Sequence, residues 1–247
     1  MEFKSLRGKI IGVTGGASGI GLAIVRKLLA VEAKVAVADL SPQPEELANN
    51  PNVIYTKVNV TSRQEVHSWV EKIVEKFGRL DGMCANAGIC PVENGVASDD
   101  VYRRIIEVCV TGVWNTGTEA YRQFQRQKGG GVLVNTASAA GLKGYRNMAV
   151  YSTAKHAVVG FTRCWSLDWA PEGIRVNAIA PGFTESPMTD AVIKDFPQVA
   201  EHMIAAIPLG RMGKAEELAD SALFLLGDSA SNITGSILVC DGGMLNS

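Results

Sequence analysis

Tyr151 and Lys155 stand four residues apart in Tyr151-Ser152-Thr153-Ala154-Lys155, with Ser138 thirteen residues upstream. On a helix, four residues span ~6 Å of rise and about 40° of rotation. The phenol and the ammonium then project side by side from one face. A free phenol titrates near ~10, and an adjacent ammonium favours the phenolate and lowers that value. Such a pair is suited to giving and taking a proton near neutral pH. Ser138 belongs to a different element, because it follows the apolar run 131–136, which reads as a buried strand. A hydroxyl at a strand's end beside a Tyr/Lys helix can hold a carbonyl or alcohol oxygen. Tyr-x-x-x-Lys alone also occurs on solvated helix faces, so the remainder of the chain decides its meaning.

The elements that must position these groups read clearly. Short β-branched runs at about 9–14, 34–39, 53–58, 81–85, 131–136, 174–179 and 236–240 predict strands. Between them, helical patterns fall at about 19–31, 43–49, 63–77, 99–127, 151–170 and 214–227. This alternation predicts an α/β fold, a doubly wound parallel sheet of about seven strands with helices on both faces. No linker or repeat interrupts residues 1–247, which predicts a single domain. Residues 181–210 break the rhythm, being longer than a crossover needs. Their place at the carboxyl edge of the sheet predicts a substrate lid at about 184–210.

Composition narrows the function. A formal charge of −1 without a long basic run argues against nucleic acid as a partner. No apolar stretch is long enough to span a membrane, and residues 1–8 lack the apolar core of a signal peptide. Five cysteines without C-x-x-C spacing suit reduced thiols in the cytoplasm. His67, His156 and His202 are isolated in sequence, and no metal site is expected.

Gly15-Gly-Ala-Ser-Gly19-Ile-Gly21 lies between the first strand and the first helix. Glycines at such a turn permit positive φ and let backbone N–H groups approach a pyrophosphate. The second strand ends in Asp39, eighteen residues past Gly21, where a carboxylate can bind adenosine ribose hydroxyls. The same charge repels a 2′-phosphate, and Gly16, Ala17, Ser18 and Leu40 supply no cation to offset it. NAD is therefore expected in preference to NADP.

With these features in order, the chain resembles the short-chain dehydrogenase/reductase family from about residue 6 to the C-terminus. The family's T-G-x-x-x-G-x-G turn matches Thr14, Gly15, Gly19 and Gly21, and its N-A-G motif matches Asn86-Ala87-Gly88. Its Ser/Tyr/Lys triad matches Ser138, Tyr151 and Lys155, and its P-G turn with a following hydroxyl matches Pro181, Gly182 and Ser186. Asp241-Gly242-Gly243 matches its C-terminal turn. The resemblance implies further cofactor contacts from Ser18, Ile20, Leu40, Val60 and Thr184, with Tyr151 and Lys155 beside the nicotinamide ribose. Two positions depart from the pattern. Asn59 replaces the usual aspartate before Val60, and Cys109 replaces the usual asparagine of V-N-x-x-G. An amide oxygen can still accept from the adenine amino group. The thiol is a weak donor and acceptor, so its catalytic part is open, from ordinary buried thiol to holder of a proton-relay water.

The resemblance implies Tyr151 as general acid and base, Lys155 as the cation that lowers its pKa, and Ser138 as the holder of the substrate oxygen. The substrate wall is expected from Ile89, Cys90, Pro91 and Val92, from residues 142–148 including Tyr145, and from lid residues Met188, Val192, Ile193, Phe196, Met203 and Ile204. Their apolar character points to a hydrophobic, cyclic secondary alcohol or ketone as the small-molecule substrate of an NAD-dependent oxidoreductase. Two alternatives stand beside this reading. One is an NADPH-dependent 3-oxoacyl thioester reductase; the other is a nucleotide-binding member of the fold without redox chemistry. Helices 99–127 and 151–170 resemble those through which family members form homodimers and homotetramers. Trp114, Phe124, Phe161, Trp165 and Trp169 are the aromatics available for such contacts.

Overall fold

The computed structural model describes residues 3–91, 93, 95–195 and 197–246. Among these residues seven strands form one parallel sheet: β1 (Ile10–Thr14), β2 (Lys34–Asp39), β3 (Val53–Lys57), β4 (Gly82–Ala85), β5 (Gly131–Thr136), β6 (Ile174–Pro181) and β7 (Ile237–Cys240). Their order is β3-β2-β1-β4-β5-β6-β7. The chain leaves β1 toward β2 and β3, then returns to place β4 on the other side of β1. Such a reversal opens a crevice at the strands' carboxyl ends.

Alternation along the strands fills both faces. Ile10, Ala36, Ala38 and Met83 join Trp69, Val158 and Trp165 in one core. Ile11, Val13, Val35 and Val37 join Ile24, Leu28 and Leu223 in the other. The first core is covered by α2 (Arg63–Phe77), α4 (Gly112–Gln127) and α5 (Ala149–Trp169), the second by α1 (Gly19–Ala30) and α8 (Ala215–Leu226). Truncating a side chain as buried as Trp69 costs about 3–5 kcal/mol.

Helix ends follow their local chemistry. Ser62 caps α2 by accepting from the Glu65 N–H, and Gly78 closes it at φ 88°. Ser98 caps α3 (Asp99–Ile106) by accepting from Val101 N–H. Two expectations need correction. The stretch 43–49 forms only a single 3₁₀ turn at Glu45–Leu47, entered through Pro44. The helix expected across 99–127 is interrupted by a π-helical segment, Glu107–Thr111, in which Gly112 N–H donates to the Glu107 carbonyl. Residues 181–210 contain two short helices, α6 (Pro187–Asp195) and α7 (Pro197–Ala205).

Candidate active site

Each motif lies at or just beyond the carboxyl end of a strand. The glycine turn follows β1, Asp39 ends β2, Asn59 follows β3, Asn86 to Gly88 follow β4, Ser138 follows β5, and Pro181 to Ser186 end and follow β6. Together they line a cleft of about 330 Å³. Every cofactor residue expected from the sequence is on its wall except Gly21, which lies beneath the turn, and Ser138 and Met188 join them.

The turn is built for an anion. Gly15 has φ +66°, and a Cβ there would stand 2.9 Å from the Ala87 Cα. A Cβ on Gly21 would collide with the Gly15 carbonyl oxygen. Ser18 opens α1 without capping it through its side chain, and no acidic residue occupies the first turn. The helix's first N–H groups and its positive end are left to a diphosphate. Asn86 braces the turn from below, donating to the Thr14 carbonyl at 3.1 Å and to that of Gly15 at 3.3 Å, and accepting from Thr136 Oγ1 at 3.1 Å. Asp39 is fixed at the cleft mouth, where its carboxylate accepts from Ala17 N–H at 3.0 Å and Ser41 N–H at 2.9 Å. These features fit a nicotinamide dinucleotide with its diphosphate on α1 and its adenosine ribose toward Asp39. Asn59 lines the same cleft, but its amide oxygen already accepts from the N–H and hydroxyl of Thr61, at 3.1 and 2.9 Å. The bond to adenine expected of that oxygen therefore has to compete with a local turn.

Tyr151 sits in the first turn of α5, which starts two residues earlier than the sequence reading placed it. Tyr151 is buried, and the Ser138 hydroxyl lines the same part of the cleft, donating to the Pro181 carbonyl at 3.5 Å. The Ser138 hydroxyl oxygen also accepts from Ala140 N–H at 3.1 Å. Lys155 is buried as well. Its ammonium donates to the Thr136 carbonyl at 2.8 Å and stands over the Tyr151 ring, 5.7 Å from the centroid. The sequence suggested a phenol pKa lowered by this lysine. In the structure burial drives it upward, Cys90 and Cys109 add to the rise, and the nearby Ser138 hydroxyl opposes it.

Cys109 lies in the π segment, fully buried. Its thiol donates to the Ile89 carbonyl at 3.3 Å and receives the Ile89 N–H at 3.5 Å. A Cβ on Gly88 would stand 3.5 Å from Lys155 Nζ and 3.8 Å from Cys109 Sγ, so lysine and thiol converge on one backbone point. The helix distortion thus forms with a thiol in the usual asparagine's place. π segments of this kind cluster at functional sites.

The expected substrate wall divides. Cys90, Ile89, Tyr145 and Met148 pack with Tyr151 and Cys109 in an apolar cluster. Burial pushes the Cys90 thiol up to about 12, so it is a neutral wall group at ordinary pH. Ile193, Met203 and Ile204 pack against Phe183, Ala200 and Ile207, fastening α6 and α7 to the body, and Tyr145 touches that cluster too. Met188 faces the cleft and stays partly exposed. Val92 and Phe196, and the side chain of Val192, lie outside the described residues. Two polar residues escaped the sequence reading. Asn115 ties α4 to the turn after β3 by donating to the Val60 and Thr61 carbonyls at 2.9 and 3.2 Å. Glu93, in the loop after β4, is buried against the start of α5. Neither belongs to a spaced motif, and only long-range contacts reveal them.

The family described as enoyl-(acyl carrier protein) reductase matches residues 15–245. The levodione reductase of Leifsonia aquatica is 34% identical over 95% of this chain and 93% of its own length. The 3-oxoacyl-(acyl-carrier-protein) reductase of Thermotoga maritima is 36% identical over 97% and 99%. The cis-4-hydroxycyclohexanecarboxylate dehydrogenase of Sinomonas cyclohexanicum is 36% identical over 95% and 96%. A crystal structure of levodione reductase superposes with a TM-score of 0.92, covering 98% of this chain and 99% of that one at 32% identity. The chain belongs to the short-chain dehydrogenase/reductase family, oxidoreductases that act on CH–OH groups with a nicotinamide cofactor.

Proposed function

We propose that this protein interconverts a hydrophobic, cyclic secondary alcohol and its ketone with NAD. The observation that carries the reading is the convergence of Tyr151, Ser138 and Lys155 at one part of a cleft that also holds Asp39. A bound nicotinamide dinucleotide supplies or accepts the hydride. The chain's own part is proton transfer and orientation. Tyr151 takes the hydroxyl proton in oxidation and returns it to the carbonyl oxygen in reduction. Ser138, on the same cleft wall as the phenol, holds that oxygen and stabilises its developing charge. Lys155 steadies the phenolate from over the ring and holds the nicotinamide ribose. Asp39 sets the preference for NAD by opposing a 2′-phosphate.

Substrate class rests on the wall. The cluster of Ile89, Cys90, Val110 and Met148 beside Tyr151 is apolar, and Thr184, Ser186 and Met188 bring the start of the lid segment to the same cleft. Tyr145 packs on both the Tyr151 cluster and the lid cluster. Its hydroxyl is buried without a hydrogen-bond partner among the described residues. Relatives named for levodione and for a hydroxycyclohexanecarboxylate agree with a cyclic substrate.

A second reading, reduction of a 3-oxoacyl thioester, is favoured by the Thermotoga maritima relative and opposed by Asp39, since that reading uses NADPH. Paired assays separate the two. Cyclic secondary alcohols with NAD and an acetoacetyl thioester with NADPH are compared by kcat/KM under matched conditions. Preference for the thioester with NADPH would replace the first reading with the second.

A further inference from the structure

Helix α5 begins with Met148 at its N-cap, and no side chain at that position caps it. The first N–H groups of a helix need acceptors, and here they come from a distant loop. Glu93 Oε2 accepts from Val150 N–H at 2.9 Å, and Oε1 accepts from Tyr151 N–H at 2.9 Å. The carboxylate is only 2% exposed and has no ion-pair partner within 4 Å among the described residues. A buried carboxylate needs strong compensation, and two charge-assisted bonds at the positive end of a helix supply it.

The loop that carries Glu93 is held to the site at other points. Ile89 is bonded through both backbone groups to Cys109, and Cys90 packs in the Tyr151 cluster. Gly95 N–H donates to the Asn147 side chain at 3.3 Å, just ahead of α5. The substrate-side loop and the first turn of the helix bearing Tyr151 are thus clamped together, with Glu93 at the joint. Reacting groups displaced by about 1 Å can lose about a hundredfold in rate.

We propose that Glu93 is a positioning residue for the Tyr151 phenol, fixing the first turn of α5 against the loop that walls the substrate site. The proposal deepens the assignment of Tyr151 as acid and base and rests on it. The titratable groups around the phenol are the Cys90 and Cys109 thiols and the Lys155 ammonium, while this carboxylate meets the same residue at its backbone N–H.

Glu93→Gln keeps the size, but one end of its amide presents N–H groups to a backbone donor. Expected are a loss in kcat of about tenfold or more and an NAD affinity within about twofold of wild type. The rising limb of alcohol oxidation should also move to lower pH, because a neutral amide no longer opposes the phenolate. Glu93→Asp should keep the limb in place while still losing kcat, since it retains charge on a shorter arm. A lowered melting temperature with unchanged kcat and limb overturns the proposal. If Glu93→Gln is not recovered folded, Glu93→Asp decides: reduced kcat supports the proposal and wild-type kcat refutes it. Wild-type protein inert toward every alcohol and ketone is a failure of the functional reading instead. In that case phenolate absorbance of the NAD-saturated protein, read against Tyr151→Phe, gives the answer. A lower midpoint in Glu93→Gln supports the proposal and an unmoved one overturns it.

Discussion

Lys155 donates to the Thr136 carbonyl at 2.8 Å and lies 5.7 Å from the centre of the Tyr151 ring. The lysine therefore joins the end of β5 to the helix that carries Tyr151, and its charge meets the face of the phenol. Burial raises the phenol above its ordinary pKa range. Oxidation needs the phenolate, so its rate should rise about tenfold per pH unit through neutral into alkaline solution. Ketone reduction needs the phenol and should stay level until that group ionises, then fall. Initial rates in both directions across pH check this. A level oxidation profile through neutral pH contradicts it.

Asp39 should govern cofactor choice. Asp39→Ala should raise the ratio of kcat/KM for NADP over NAD by about tenfold or more, the equivalent of about 1.4 kcal/mol. The same change removes the acceptor for Ala17 and Ser41 N–H, so NAD affinity should also fall. Steady-state assays with both cofactors measure the two effects together. An unchanged ratio shows that the carboxylate serves only its own turn.

Much of this arrangement is readable from residue order, for identifiable reasons. The β-branched runs are punctuated by glycines and polar residues, so the predicted strands match β1 to β7 to within one or two residues. Site residues sit at the carboxyl ends of those strands, and a parallel sheet gathers such ends on one edge. What escapes depends on contacts between distant segments. The π segment Glu107–Thr111 preserves the apolar pattern while widening one turn, so periodicity passes over it. Glu93 is 57 residues from Val150, and no local spacing links them. The direction of the Tyr151 shift likewise escapes, because Lys-to-Tyr spacing ignores burial.

Cys109 is expected to be a working substitute. Its thiol already satisfies both backbone groups of Ile89, and the π segment forms around it. Cys109→Ala strips those partners and should cost about 1 kcal/mol of unfolding free energy, measurable by denaturant titration. Cys109→Asn should leave kcat within about threefold, a difference below 1 kcal/mol. A hundredfold gain on introducing asparagine would mark the thiol as a defect in proton relay.

Helices α4 and α5 carry an aromatic row. Trp165 stacks on Phe161 and Trp169 with centroids 4.8 Å apart, and Trp169 stacks on Tyr121 at 4.4 Å. Phe124 turns inward to the sheet, whereas Trp114 is 43% exposed. Exposed aromatics such as Trp114 are enriched in contacts between protein chains, so self-association through this residue is a testable expectation. Trp114→Glu should convert a dimer or tetramer to smaller species in analytical ultracentrifugation. Wild-type protein sedimenting as a monomer at micromolar concentration removes the expectation.

The most direct test follows reduced-nicotinamide absorbance as wild-type and Tyr151→Phe proteins meet NAD and a panel of cyclic secondary alcohols. Wild type should reduce NAD with at least one of them. Tyr151→Phe should lose about a hundredfold or more of that rate while binding NAD with nearly unchanged affinity. Tight NAD binding by wild type with no absorbance change, or near-normal turnover by the phenylalanine variant, contradicts the account.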